Sequence, residues 1–173
     1  MTKTELIEEI KNRFSQVPYP GDNDLTIHPL GLDEIFYDAI RGKTWQELDT
    51  EMLTYHHDCI GVLTTKGFQY YLPAFLIADI QKEQAIFEYL LYWLSNCQNR
   101  AGSPIKNVSG TDWLTMRINI LSKEQKDIII KYFEYKKNDG LLEKEIEDID
   151  KITQYINGKR GQARIKSGQF NIK

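Results

Sequence analysis

The run Tyr55-His56-His57-Asp58-Cys59 is the only place in the sequence where potential metal ligands, bases and a nucleophile sit side by side. On a helix, His56 and Cys59 lie three residues apart on one face, while His57 and Asp58 point elsewhere. That spacing offers two ligands. A closed zinc site takes four and a hydrolytic one three plus water, so the others would have to come from Cys97, His28 or a distant carboxylate. Neither HExxH nor CxxC spacing occurs, and no metal or other cofactor is expected. A catalytic thiol needs a base and an exposed, electropositive setting. Nothing in the local sequence activates Cys59, and Cys97 falls one turn past Trp93 on the apolar side of a predicted helix over 83–98, the position of a packed thiol. No catalytic residue is assigned. Should the chain be an enzyme with an unrecognised site, His56, His57 and Asp58 are the first residues to test.

Two further stretches bear on chemistry. Arg41-Gly42-Lys43-Thr44 contains a GKT triplet without the upstream glycine of a phosphate-binding loop. Gly42 closing one helix and Thr44 opening the next accounts for it. Residues 143–150, EKEIEDID, place five acids and one lysine within eight positions. Glu143, Glu145, Glu147, Asp148 and Asp150 therefore form an acid-rich helix surface, and they are the candidate partner-binding residues. Such a surface can imitate a phosphate-rich ligand or plug a basic active site without any catalytic group. Ordinary solvation is the plain alternative, because charge runs usually face water.

Charge over the whole chain points the same way. The sequence has 173 residues with 25 acids against 22 bases, a formal net of −3. Residues 158–173 hold five cations and no acid, which leaves 17 bases against 25 acids, a net of −8, in residues 1–157. An acidic body repels nucleic acid and favours a basic protein partner. The stretch GKRGQARIKSGQFNIK, with few apolar residues, predicts a flexible basic tail beyond a single helical domain over 1–157. The beginning, MTKTELIEEIKNRF, has no signal-type apolar core, and no apolar stretch is long enough to span a bilayer. The expectation is a cytoplasmic protein without membrane contact.

The elements that must hold these residues are helices. Hydrophobic residues make up 41% of the chain, enough for one core, and they recur at spacings of three and four. The fold class predicted is mainly α, a single-domain irregular helical bundle. Helices are expected at 4–15 and 32–41. Another runs over 45–60, opened by a capping box of Thr44 and Glu47 and stopped at Gly61. A helix capped by Thr64 or Thr65 runs through Phe68, Tyr71, Leu72, Phe75 and Asp79 and is kinked at Pro73, which cannot donate to the Gln69 carbonyl. Ser122 and Gln125 open a helix that ends at Asn138-Asp139-Gly140. The last, over 141–156, lines up Leu142, Ile146, Ile149, Thr153 and Ile156 and turns Glu143, Glu147 and Asp150 outward. Weak alternation around Ile118 and Ile120 predicts a short strand or hairpin within 105–121.

Part of this pattern is recognisable. Tyr19-Pro20-Gly21, then Gly42, Lys43, Trp45 and Leu48, then Leu63, Thr64, Gly67, Phe68, Tyr70, Tyr71, Leu72, Pro73, Ala74, Phe75 and Leu76 resemble the signature of a small uncharacterised bacterial family with G-K-x-W-x-x-L and L-T-x-x-G-F-x-Y-Y-L-P-A-[YF]-L segments. The resemblance covers about residues 14–80. Thr65 and Lys66 depart from the proline or glutamate that often follows the threonine, and leave the helix start intact. No activity, and so no catalytic residue, comes with the family. Small acidic proteins of this kind are often met as the neutralising partner of a secreted toxin. The functional expectation is a protein-binding module, an immunity protein that occludes the basic active site of a toxin. A regulatory or scaffold protein with another partner, and an enzyme, stand as alternatives.

Overall fold

Thr2 opens the first helix: its hydroxyl accepts the Glu5 amide at 3.2 Å, and the Glu5 carboxylate accepts the Thr2 amide at 2.7 Å. The computed structural model describes residues 1–27, 32–82, 86–95 and 110–158. Its helices are α1 (Lys3–Phe14), α2 (Leu32–Ile40), α3 (Thr50–Tyr55), α4 (Thr65–Gln81), α5 (Phe87–Ser95), α6 (Gly110–Ile120), α7 (Lys123–Lys136) and α8 (Glu143–Ile156). The fold is mainly α, with no strand among the described residues.

The centre is α4. Phe68, Tyr71, Leu72, Phe75 and Asp79 are buried on one side, Tyr70 and Ala74 on the other, as an almost wholly apolar helix requires. It packs against α1, α3 and α6, while α7 lies on α1 and α8 on α5. The Thr64 hydroxyl accepts the Gly67 amide at 2.9 Å and starts α4, which continues through Pro73 to Gln81. Gly67 must be glycine, because a Cβ there would lie 2.3 Å from the Leu25 carbonyl oxygen. That close approach belongs to a stitch between distant loops. Ile27 N donates to Val62 O at 2.8 Å and Thr64 N to Leu25 O at 2.9 Å, around an antiparallel bridge of Thr26 with Leu63.

Three expectations need correction. The helix over 45–60 is instead a 3-10 turn at Trp45–Glu47, then α3, then a second 3-10 turn at His57–Gly61. The Thr44–Glu47 contact forms, Thr44 N donating to the Glu47 carboxylate at 2.7 Å. Leu48 is nevertheless extended, and Asp49 accepts the Glu51 and Met52 amides at 3.1 Å each, so a second cap restarts the helix. The hairpin is replaced over 110–120 by α6; Leu114, Arg117, Ile118 and Leu121 are buried at helical spacing, and tertiary burial outweighs the β-branched bias. Residues 105–109 lie outside the described residues. Finally, the buried stripe of α8 is Asp148, Ile149, Ile152 and Ile156, and Leu142 (71% exposed) and Ile146 (36%) face outward.

Two charged clusters are enclosed. The Asp79 carboxylate lies 3.1 Å from Lys136 Nζ, accepts the Tyr132 hydroxyl at 2.8 Å and accepts the Ile86 amide at 3.1 Å. The Arg117 guanidinium donates to the carbonyls of Gly61 (3.0 Å) and Leu63 (2.7 Å) and lies 4.7 Å from the Phe68 ring centre. No helix among the described residues is long and apolar enough to cross a membrane.

Candidate functional site

The second 3-10 turn delivers the histidine–cysteine run. His56 and Cys59 do face each other, with Sγ 3.8 Å from His56 Nδ1. Asp58, however, sits against the thiol, its Oδ1 3.6 Å from Sγ, so the acid does not orient the histidine as a catalytic base requires. Cys59 is 5% exposed, and burial pushes the His56 imidazole below its ordinary pKa, with Asp58 opposing and His57 reinforcing the shift. A buried thiol beside a carboxylate is the reverse of a reactive-cysteine setting. His57 turns away: its Nδ1 lies 2.7 Å from Thr54 O and its ring centre 3.9 Å from that of Tyr89. Among the described residues no group of three His, Cys, Asp or Glu side chains could hold a metal. Cys97 and His28 lie outside the described residues.

The turn has a second face, and there it meets α5. Asp58, Val62, Glu88, Tyr89, Tyr92 and Trp93 line a cleft of about 560 Å³. Glu88 and Tyr89 begin the helix, and Tyr92 and Trp93 follow one turn later, so the four share a side. The Tyr92 and Trp93 rings stand nearly perpendicular, 85° apart with centres 5.5 Å apart. The Trp93 indole lies close against Gly61, where a Cβ would come within 2.1 Å of it, and the Arg117 guanidinium lies 6.0 Å from its ring centre. Asp58 and Glu88 are exposed at this cleft. The predicted helix over 83–98 shows only an apolar side in the sequence; the signal that identifies the cleft is an acid followed by aromatics at positions one, four and five, once the turn is known to face it.

The acid-rich surface of α8 is partly engaged by its own fold. The Asp150 carboxylate is 2.7 Å from Lys137 Nζ, whose pKa that contact raises above the ordinary lysine range. Asp148 lies on the buried side, 3.0 Å from Lys151 Nζ. Glu145 accepts the Leu142 amide at 2.7 Å. Glu147 is 3.9 Å from Lys151, a loose exposed pair. Glu143 is exposed. The outward face thus combines Glu143 and Glu147 with the exposed Leu142 and Ile146, acids interleaved with apolar side chains.

The other conspicuous polar constellation belongs to the family-like segment. The Tyr71 hydroxyl lies 2.8 Å from Ile40 O and 2.9 Å from Lys43 O, and the Tyr19 hydroxyl accepts the Gly42 amide at 2.8 Å while contacting Asp22. Burial pushes the Tyr71 phenol far above its ordinary pKa. These tyrosines fix the end of α2 and the turn after it, where Gly42 has φ +69°. Their work is positional.

Neither curated proteins nor solved structures provide a match. A model of a family of unknown function (DUF6714) matches residues 2–159, from the first capping box to just past the end of α8, and the chain is a member of that family.

Proposed function

We propose that this protein is a binding module for a basic protein, and that it acts as an immunity protein by covering the active site of a toxin. The observation that carries the reading is the outward face of α8, where Glu143 and Glu147 flank the exposed Leu142 and Ile146. Acids at the rim steer a basic partner and apolar side chains between them supply area to bury. The net of −8 over residues 1–157 extends the same attraction over distance. Blocking of this kind is stoichiometric and asks for no catalytic residue.

Co-expression with a secreted toxin encoded beside its gene tests the proposal. Growth is restored and the two proteins co-purify one to one. Glu143→Lys with Glu147→Lys abolishes rescue while the chain stays folded, the thermal midpoint falling only slightly with the loss of a first-turn acid and of the loose Lys151 pair. Absence of both rescue and a complex overturns the reading.

A further inference from the structure

Both α1 and α3 pack on α4, and between them they leave a groove of about 490 Å³ along it. Contacts at both ends set its direction. Lys3 Nζ reaches Gln81 O at 3.5 Å, while Gln125 accepts the Gln69 amide at 3.1 Å and donates to Arg13 O at 3.5 Å, so α1 runs antiparallel to α4. Lys11 therefore stands at the Ala74 end. On the other wall the Trp45 backbone meets the Tyr70 hydroxyl, whereas the Thr50 hydroxyl donates to Gln81 Oε1 at 2.9 Å. The groove thus has Lys11 and Trp45 at one end and the Thr50–Gln81 pair at the other. Ala74, Ile77 and Ala78 form its floor, and Leu48 and Leu53 its side. From Ala74 to Gln81 the helix rises about 10 Å.

The two ends offer a ligand different chemistry. At the far end the Thr50 hydroxyl and the Gln81 amide oxygen already satisfy each other. At the near end Lys11 is the only charged residue in the described lining. Beside it the Trp45 indole N–H has no acceptor among the described residues, although that side chain is only 4% exposed, and it is not an enclosed atom. Both groups are donors, one of them cationic, and the floor beyond them is apolar. A hydrocarbon leaves those donors unanswered, and a cation is repelled by Lys11. A carboxylate on an apolar chain satisfies the whole lining. We infer that this groove binds a small organic acid, one terminal carboxylate on an unbranched apolar body about 10 Å long. Lys11 already pairs with Glu8 at 2.8 Å. An ammonium has three N–H donors, and an exposed pair of that kind holds weakly, so Lys11 is able to take a second carboxylate. Trp45 and Leu53 belong to the core, and walls fixed in advance lose little side-chain freedom on binding.

The test uses the full chain and octanoate below its micelle concentration, followed by backbone amide and indole NMR. Saturable shifts centred on residues 45–53 and 74–81 are expected, with the Trp45 indole N–H moving downfield as it gains an acceptor. Lys11→Gln raises the dissociation constant about tenfold, the effect of one charge-assisted contact, and Lys11→Arg restores most of the affinity. Lys11 is exposed, so its variants remain folded. Octylammonium and octanol bind more weakly than octanoate. The acidic net of residues 1–157 favours the ammonium, so a preference for the carboxylate comes from the groove itself. Equal or tighter binding of either control overturns the inference. So does a Lys11→Gln protein that binds octanoate as the wild type does, and so do shifts that fail to saturate or that centre elsewhere. None of these outcomes bears on the toxin-binding reading, which rests on α8.

Discussion

At the scale of single residues, Asp79 and Lys136 carry the largest local stake in stability. They are 0% and 1% exposed and 3.1 Å apart. Removing one charge leaves the other enclosed, which costs about 3–5 kcal/mol. Asp79→Ala therefore lowers the urea midpoint sharply, and Asp79→Leu combined with Lys136→Met recovers only part of the loss, because the Tyr132 hydroxyl and the Ile86 amide still lack their acceptor. His56 sets a pH dependence. Above its ordinary value of 6.5 the imidazole is neutral in both states. Below it, the unfolded chain takes up a proton that the buried site resists, so stability is full above about pH 6.5 and declines as pH falls toward the lowered native value. Urea titrations between pH 7 and 5 show this slope in the wild type and a shallower one in His56→Gln. Neither residue's role is readable from its neighbours in sequence: Asp79 meets Lys136 across 57 positions, and His56 is buried by a turn that restarts rather than continues a helix.

At the scale of elements, capping chemistry was the most legible feature. Ser122 accepts the Gln125 amide at 3.2 Å and Gln125 accepts the Ser122 amide at 3.0 Å, as the S-x-x-Q spacing predicts. Gly140 sits at φ +75° at the end of the 3-10 turn that follows α7. Local signals fail where a second one competes. Asp49 is as good a cap as Thr44 and lies five residues later, so the helix expected from Trp45 onward restarts at Thr50. In α6 the weak alternation around Ile118 and Ile120 is overruled by the burial of Leu114, Arg117, Ile118 and Leu121 at helical spacing. The cleft was legible only in halves, because the acid of one wall and the aromatics of the other are thirty positions apart and the approach of turn to helix is a long-range packing outcome. Tyr71 links two elements, its hydroxyl holding the carbonyls at the end of α2. Tyr71→Phe strands those acceptors and lowers stability by about 1–3 kcal/mol in thermal or urea unfolding, and the loss is local to the α2–α4 junction.

For the whole molecule, the proposed association with a basic partner depends on the separation of charge along the sequence. The acidic net of residues 1–157 and the five cations after them oppose each other in the field a basic partner meets. Raising ionic strength from about 0.01 to 0.15 M shortens the screening length from about 30 to 8 Å. On the proposed reading, the association rate with the basic partner then falls by an order of magnitude or more, while the dissociation rate changes little. Stopping the chain after Gly158 removes five positive charges and increases the association rate at low salt. Stopped-flow measurement on both forms checks each statement, and a rate insensitive to salt and truncation removes charge steering from the account.

The stitch between Leu25–Ile27 and Val62–Thr64 has a consequence for how the molecule opens. The chain leaves this point, passes through α2 and α3, and returns to it, so those two helices lie on a loop closed at its neck by two backbone hydrogen bonds and by the Lys66–Asp24 pair at 2.8 Å. Such a loop can detach as one cooperative unit while the neck and the α1–α4–α7 body stay formed. Native-state hydrogen exchange would then find the amides of α2 and α3 exchanging with one shared opening free energy, below that of α4 and α7, and a crosslink placed at the neck would leave that opening untouched.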